Sequence, residues 1–225
     1  MQSNIEELIV ALNKLIEEMR DPPLANFMRF IFSPQRLLDK FLSSPASRSR
    51  HHSFIGGLAT HSIGVAELVK KISEHYSAMG IKTNKDLLVA GALIHDIGKI
   101  HCYKWRDAYV ETKSGPDYIE HIHHGPGYHH DARSALLHHI PMGAIDISKL
   151  ADEFNNSRER DEHKLVDSKI DKLIHIILSH HGRKSWSSPV TPQFVEAYII
   201  HSAEMMDAYI SKFNDGQVPS NLYDH

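Results

Sequence analysis

A chain of 225 residues, 41% hydrophobic and 24% charged, has the balance of one soluble globular domain and is long enough to bury a real core. A net charge of -3 with histidine neutral excludes a general electrostatic grip on nucleic acid or an anionic membrane, while leaving room for a local basic patch. No run of apolar residues is long enough to span a bilayer, the start MQSNIEEL has no leader pattern, and Cys102 is the single cysteine. These features predict no membrane partner, no disulfide framework and a cytoplasmic location.

The elements read almost entirely as helix. Ser3 with Glu6 forms a capping box ahead of an apolar stripe through Ile5, Leu8, Ile9, Leu12, Leu15, Ile16 and Met19, and Asp21-Pro22-Pro23 is expected to stop that helix. Ser33-Pro34 reads as the start of the next, with Leu37, Leu38, Phe41 and Leu42 inward. A third helix is predicted over 57–76, and a fourth over 85–96 with Gly98 as its C-cap. Residues 101–130 are the least helical part, punctuated by Ser114-Gly115-Pro116 and Gly125-Pro126-Gly127, and show no convincing β alternation. A short helix over 132–140, a charged loop or helix start over 152–163, a helix over 165–180 ended by Gly182, and a last helix from Thr191-Pro192 to about 213 complete the chain.

Histidine is the anomaly, with 19 against 8 Phe and 8 Tyr, scattered from His51 to His225. Histidine is the commonest metal ligand, but position has to decide. The key segment is Leu93-Ile94-His95-Asp96-Ile97-Gly98-Lys99. His95 shares a helical face with Leu88, Gly91 and Ile94, and Asp96 follows it, so both can reach one cation that offsets the cost of a buried carboxylate. Lys99 then stands close enough to neutralise a phosphate. Taken alone, the fragment reads equally as a helix end with a polar cap. Other residues tilt the balance. His61 falls with Leu58, Val65 and Leu68; His139 with Ala135 and Leu136; His180 with Leu173, Ile176 and Ile177; Glu204 with Ala197 and Ile200. Each alone suits a satisfied core residue, but five helices aiming His or carboxylate inward look like a cage of the kind helix bundles build.

In the order His61, His95-Asp96 and a carboxylate at Glu204 or Asp207, the chain resembles the HD superfamily of metal-dependent phosphohydrolases. Within it the chain is similar to the HD domain of YhaM-type 3′-to-5′ exoribonucleases, through His51-His52-Ser53-Phe54-Ile55-Gly56-Gly57 to His61, His95 to Ile100, Leu136 to Ile140, Ile174 to Gly182 and His201 to Ala208. The resemblance covers roughly 35–212 and implies an all-α, HD-domain helical bundle over 35–213, with an N-terminal helical segment at 1–34 and a polar tail at 214–225. Three features depart from the pattern: no room for an OB-type nucleic-acid module, a 101–135 segment with extra histidines (His121, His123, His124, His129, His130), and Glu204 where the family has Asp, with Asp207 one turn on.

By resemblance, His61, His95, Asp96 and Glu204 or Asp207 hold one divalent ion, and His139, His180 and His181 suit a second. Imidazole and carboxylate donors favour Mn, Fe, Co, Ni or Zn over Ca. Asp96 and Lys99 are the candidate catalytic residues, and His181 and Arg183, with Lys184, are candidates for holding substrate. His51-His52 either line the entrance or cap a helix, and the histidine-rich loop is expected to lie over the site. Arg48, Arg50, Lys104, Arg106, Tyr103, Trp105 and Trp186 form a modest basic and aromatic track, so a phosphate-ester substrate such as short single-stranded RNA or DNA, or a nucleotide diester, is the first expectation. A small-molecule nucleotide phosphatase is the alternative, and a non-catalytic metal-binding domain a third.

Overall fold

The structure, a computed structural model, describes residues 4–48, 52–116 and 118–214. The predicted cap Ser3, the track residue Arg50, the entrance residue His51 and the tail beyond Asn214 lie outside the described residues. Helix α1 (Ile5–Glu17) starts where the Asn4 side chain accepts the Glu6 N–H, and it buries Leu8, Leu12, Leu15 and Ile16 along one stripe. Asp21-Pro22-Pro23 opens a helix rather than merely closing one. The Asp21 carboxylate accepts the Leu24 N–H, and the two prolines fill first-turn positions where the missing N–H costs nothing, giving α2 (Pro22–Ile31). The expected start at Ser33-Pro34 is not used: Ser33 Oγ donates back to Phe30 O, and α3 (Leu38–Ser43) begins a turn later.

Helix α4 (Gly57–Ala78) matches its predicted span. Helix α5 (Lys85–Ile94), capped by Asn84, buries every residue from Leu87 to Ile94, as a helix apolar on all sides must. It packs against α4 and α2, and also against α8 (Asp167–Ser179) and α9 (Val195–Asn214). One buried apolar cluster extends from Leu8 in α1 to Ala203 in α9, so the N-terminal helices share the core of the rest.

Two sequence expectations fail at the ends of α5 and α6. Gly98 is not a left-handed helix cap; α5 ends at Ile94 and the chain runs on as a 3-10 turn, Ile97–His101. Glycine is needed there because a Cβ would stand 2.0 Å from the His139 carbonyl oxygen and 2.6 Å from the Gly143 nitrogen. Farther along, the single helix expected over 132–140 is two. Helix α6 (Ala132–Leu137) stops at His138, whose φ of 61 and ψ of 158 break the helix, and α7 (His139–Asn156) starts afresh and runs into the first residues of the stretch read as a charged loop or helix start.

The all-α expectation also needs correction, because residues 103–130 form four short strands. β1 (Tyr103–Arg106) pairs antiparallel with β4 (Gly127–His130), and β2 (Tyr109–Gly115) with β3 (Tyr118–His124). Most of their side chains are exposed or half-buried, so no face is selected for burial, and the alternation in strands as short as Tyr103-Lys104-Trp105-Arg106 is too brief to mark a strand in the sequence. The architecture is a helical bundle carrying a small two-part β ribbon.

Candidate metal centre

The helices bring their ends together around Asp96, which is fully buried. His61 comes from α4, His95 and Asp96 from the end of α5, His139 from the first turn of α7, His180 from the end of α8 and Glu204 from α9. All six are buried. His139 arrives there for a reason the sequence pattern did not supply. Leu136, its supposed neighbour on an apolar face, is 84% exposed, and it is the break at His138 and the contact of α7 with Gly98 that turn His139 inward.

Backbone and carboxylate acceptors set the orientation of the rings. His95 Nδ1 donates to Ala92 O and His180 Nδ1 to Ile177 O, both at 2.7 Å, and His181 Nδ1 donates to Trp186 O at 2.7 Å. His61 Nδ1 faces Asp207 Oδ2 at 2.7 Å. A neutral ring that donates through Nδ1 presents a lone pair at Nε2. His61 Nε2 and His95 Nε2 lie 3.1 Å apart, each 3.5 Å from Asp96 Oδ2. On the other side, His139 Nε2 and His180 Nε2 lie 3.3 and 3.4 Å from Asp96 Oδ1. Among the described residues, Asp96 Oδ1, His139 Nε2, His180 Nε2 and Glu204 Oε2 are buried without a hydrogen-bond partner.

Buried nitrogens and carboxylate oxygens this close together, several without a hydrogen-bond partner, are costly unless a cation joins them. Two overlapping groups meet the spacing for an ion, His61-His95-Asp96 and Asp96-His139-His180-His181, with Asp96 common to both. Asp207 falls instead in a group with His52 and His61, 3.3 Å from His52 Nε2, on the far side of the His61 ring. Among the described residues Glu204 belongs to none of these groups, although its buried Oε2 has no hydrogen-bond partner, and Asp207 stands behind the His61 ring. His52, whose left-handed φ of 54 puts its carbonyl against Gly57, is the residue the sequence pattern left undecided.

Burial holds the His95 and His139 rings far below the ordinary imidazole range and brings His181 down to about 3, so all three are neutral at pH 7. Burial alone would raise the Asp96 carboxyl, but Lys99, His95, His180 and His139 outweigh it and hold it well below the usual range. Burial likewise opposes the Lys99 charge, and Asp96 overcomes it, so Lys99 stays protonated with Nζ 2.5 Å from Asp96 Oδ2. Burial raises Glu204. For Asp207, hydrogen bonds to His52 and His61 overcome burial and push the carboxyl down. Arg183 is exposed, its guanidinium 4.4 Å from the centre of the Trp186 ring, at the rim beside His181.

A family model for the HD domain matches residues 58–209, which hold every one of these cage residues. The chain belongs to the HD family. The 3'-5' exoribonuclease YhaM of Listeria welshimeri is 31% identical to it over 208 residues, covering 92% of this chain and 56% of that protein. This HD chain therefore spans little more than half the length of that curated relative. No solved structure matches it significantly. The HD family is one of phosphohydrolases, enzymes that act on phosphate ester bonds, and a divalent metal is the group such a His/Asp cluster binds. Among the described residues, no helix is long and apolar enough to cross a membrane.

Proposed function

We propose that this HD chain is a metal-dependent phosphodiesterase that cleaves short single-stranded nucleic acid or nucleotide-like diesters. The observation that supports this most strongly is the convergence of buried imidazole nitrogens and carboxylate oxygens on both sides of Asp96, several without a partner, beside a lysine that keeps its charge. In this reading His61, His95, Asp96 and Glu204 hold one divalent ion, and Asp96, His139, His180 and His181 hold a second. Nitrogen and oxygen donors in this mixture suit Mn, Fe, Co, Ni or Zn. When bound, such ions lower the pKa of water towards neutrality and neutralise charge gathering at phosphorus.

The remaining work falls to the chain itself. Asp96 offers one oxygen to each half of the cage. Asp207 fixes the orientation of the His61 ring through Nδ1, which turns Nε2 toward the cage and raises its basicity as a ligand. Lys99 spends one of its three N–H donors on Asp96 and has two left for phosphate oxygens. Arg183 at the rim and the half-buried His181 meet the phosphate or its neighbour. The name of the Listeria relative favours RNA as the polymer. Cys102 is buried and free, its thiol pushed up by burial to about 12 and so unreactive, which fits a cytoplasmic protein.

The net charge of -3 favours a second reading, a phosphatase of nucleotides, because a long strand needs more positive surface than this composition supplies. A ladder of labelled RNA and DNA oligonucleotides, run with Mn beside a panel of nucleoside monophosphates, separates the two. Shortening of single strands, with poor activity on duplex, is expected. Release of phosphate from monophosphates alone, with every oligonucleotide intact, would refute the diester reading.

A further inference from the structure

The β1–β4 ribbon places aromatic residues in a way the linear sequence does not reveal. Tyr103 lies opposite His130 and Trp105 opposite Tyr128. Opposed residues share a face, and so do residues two apart on a strand, so all four rings stand on one side of the ribbon. The ring pairs sit 5.2 and 5.3 Å apart between centres. Along each strand the next ring is roughly 7 Å on. The opposite face carries Lys104, His129 and Arg106. Trp105 is 59% exposed, a large ring left open where folding would ordinarily cover it.

The ribbon grows directly from the cage. The 3-10 turn that carries Lys99 ends at His101, and Tyr103 begins β1. The Cys102 carbonyl accepts the Asp131 N–H at 2.8 Å, tying the far end of β4 to the same point, and Lys104 reaches Asp131 at 2.5 Å. The half-buried Tyr103 phenol feels the charges of Lys99, Asp96 and Arg48. The ladder thus runs outward from beside the candidate phosphate-binding lysine, with Arg106 on its reverse. Trp186, by contrast, already has the Arg183 guanidinium on its ring.

From this geometry we propose that the Tyr103-His130-Trp105-Tyr128 face is a stacking platform for the bases of single-stranded nucleic acid, guiding its backbone to the cage. The proposal rests on the diester reading above. Its continuity with the cage and the cations flanking its root favour a polyanion carrying flat rings over a protein partner. Stacking is tolerant of sequence, since every base has a π face, but it requires unpaired bases, so duplex is excluded.

The test uses the full chain with Trp186→Phe, which leaves Trp105 as its only tryptophan. Phosphorothioate RNA and DNA single strands, the matching duplex and a nucleoside monophosphate are titrated while Trp105 fluorescence is followed. Single strands should quench it and duplex should not. Read by the fluorescence anisotropy of a fluorescein-labelled phosphorothioate strand, which needs no tryptophan, Trp105→Ala and Tyr128→Ala should each weaken single-strand binding roughly tenfold, Trp105→Phe should retain most of it, and Ile119→Ala on the other hairpin should have no effect. Hydrolysis of bis(p-nitrophenyl) phosphate with Mn reads the cage in parallel, and the loss on oligonucleotides should exceed the loss on this small diester about tenfold. Unchanged single-strand affinity in Trp105→Ala protein that still cleaves the small diester would overturn the platform and leave the phosphodiesterase standing. Quenching by single strands in a protein that cleaves no diester would uphold the platform and overturn the proposed activity. A Trp105→Ala variant that only converts an oligomer to monomer would assign the face to self-association and overturn the platform too.

Discussion

At Asp96 the two carboxylate oxygens face different nitrogens, Oδ2 toward His61 and His95, Oδ1 toward His139 and His180. Removing this group should therefore affect both halves of the cage at once. Asp96→Ala is expected to abolish binding of Mn measured by calorimetry, with the helical circular dichroism retained; full affinity in this variant would sink the bridging assignment. Lys99→Ala should keep the metal and lose turnover, because the ammonium contacts the cage only through Asp96. Release of metal by that variant would give Lys99 a different role. Glu204→Gln and Asp207→Asn test the two carboxylates that sequence spacing could not separate. Glu204, with a buried unpartnered oxygen, should show the larger loss of metal affinity. Asp207, which holds the Nδ1 side of His61, should cost about 10- to 100-fold, the range for groups that orient a ligand. Equal, small losses for both would remove each from the cage.

The turn after α5 and the start of α7 are pressed backbone to backbone at Gly98. A methyl group there would force α7 away, and His139 with it. Gly98→Ala is expected to destabilise the metal-free protein by about 1–3 kcal/mol, the usual range for overpacking, and to weaken the His139 half of the cage. Thermal melting and a metal titration check the two effects; a stable variant with native metal affinity would show that the contact does not position His139. The same junction explains why this part was hard to read. A cap glycine and a close-contact glycine look alike in sequence, and the sign of the break between α6 and α7 is a single proline, Pro141, in the first turn of α7. By contrast α4 and α9, long helices with a steady apolar stripe, were legible nearly to their ends, though the start predicted at Thr191-Pro192 lies three residues ahead of Val195.

For the whole molecule, the cage makes metal-free stability depend on pH. The unfolded chain binds protons at its histidines below about 6.5, whereas His95, His139 and His181 stay neutral in the fold well below that. Folded pKa values below the unfolded ones mean that the unfolded state binds more protons, so stability falls as pH drops. Each such histidine costs about 1.4 kcal/mol per pH unit below its unfolded pKa. Urea denaturation of metal-free protein at several pH values between 7.5 and 5 should show a steep loss beginning near 6.5. A flat profile would mean that these rings are solvated and the cage open.

The sequence alone determined that the chain is mainly helical, and it singled out His95-Asp96, with His61, His139, His180 and a carboxylate near residue 204, as candidates that the fold then brings close together. Except for His139, whose supposed apolar face with Leu136 is not buried, those readings depend on local rules, helical periodicity and the cost of burying polar groups, which act within a few residues. Only the tertiary structure decided that Asp207 backs His61, that Gly98 serves a contact rather than a cap, and that Tyr103, Trp105, Tyr128 and His130 share one face. Each of these is a relation between residues about 25 to 150 positions apart in the chain, where distance is set by packing and by strand register. A single sequence carries no term for such distances, because the same local pattern is compatible with many ways of bringing its elements together.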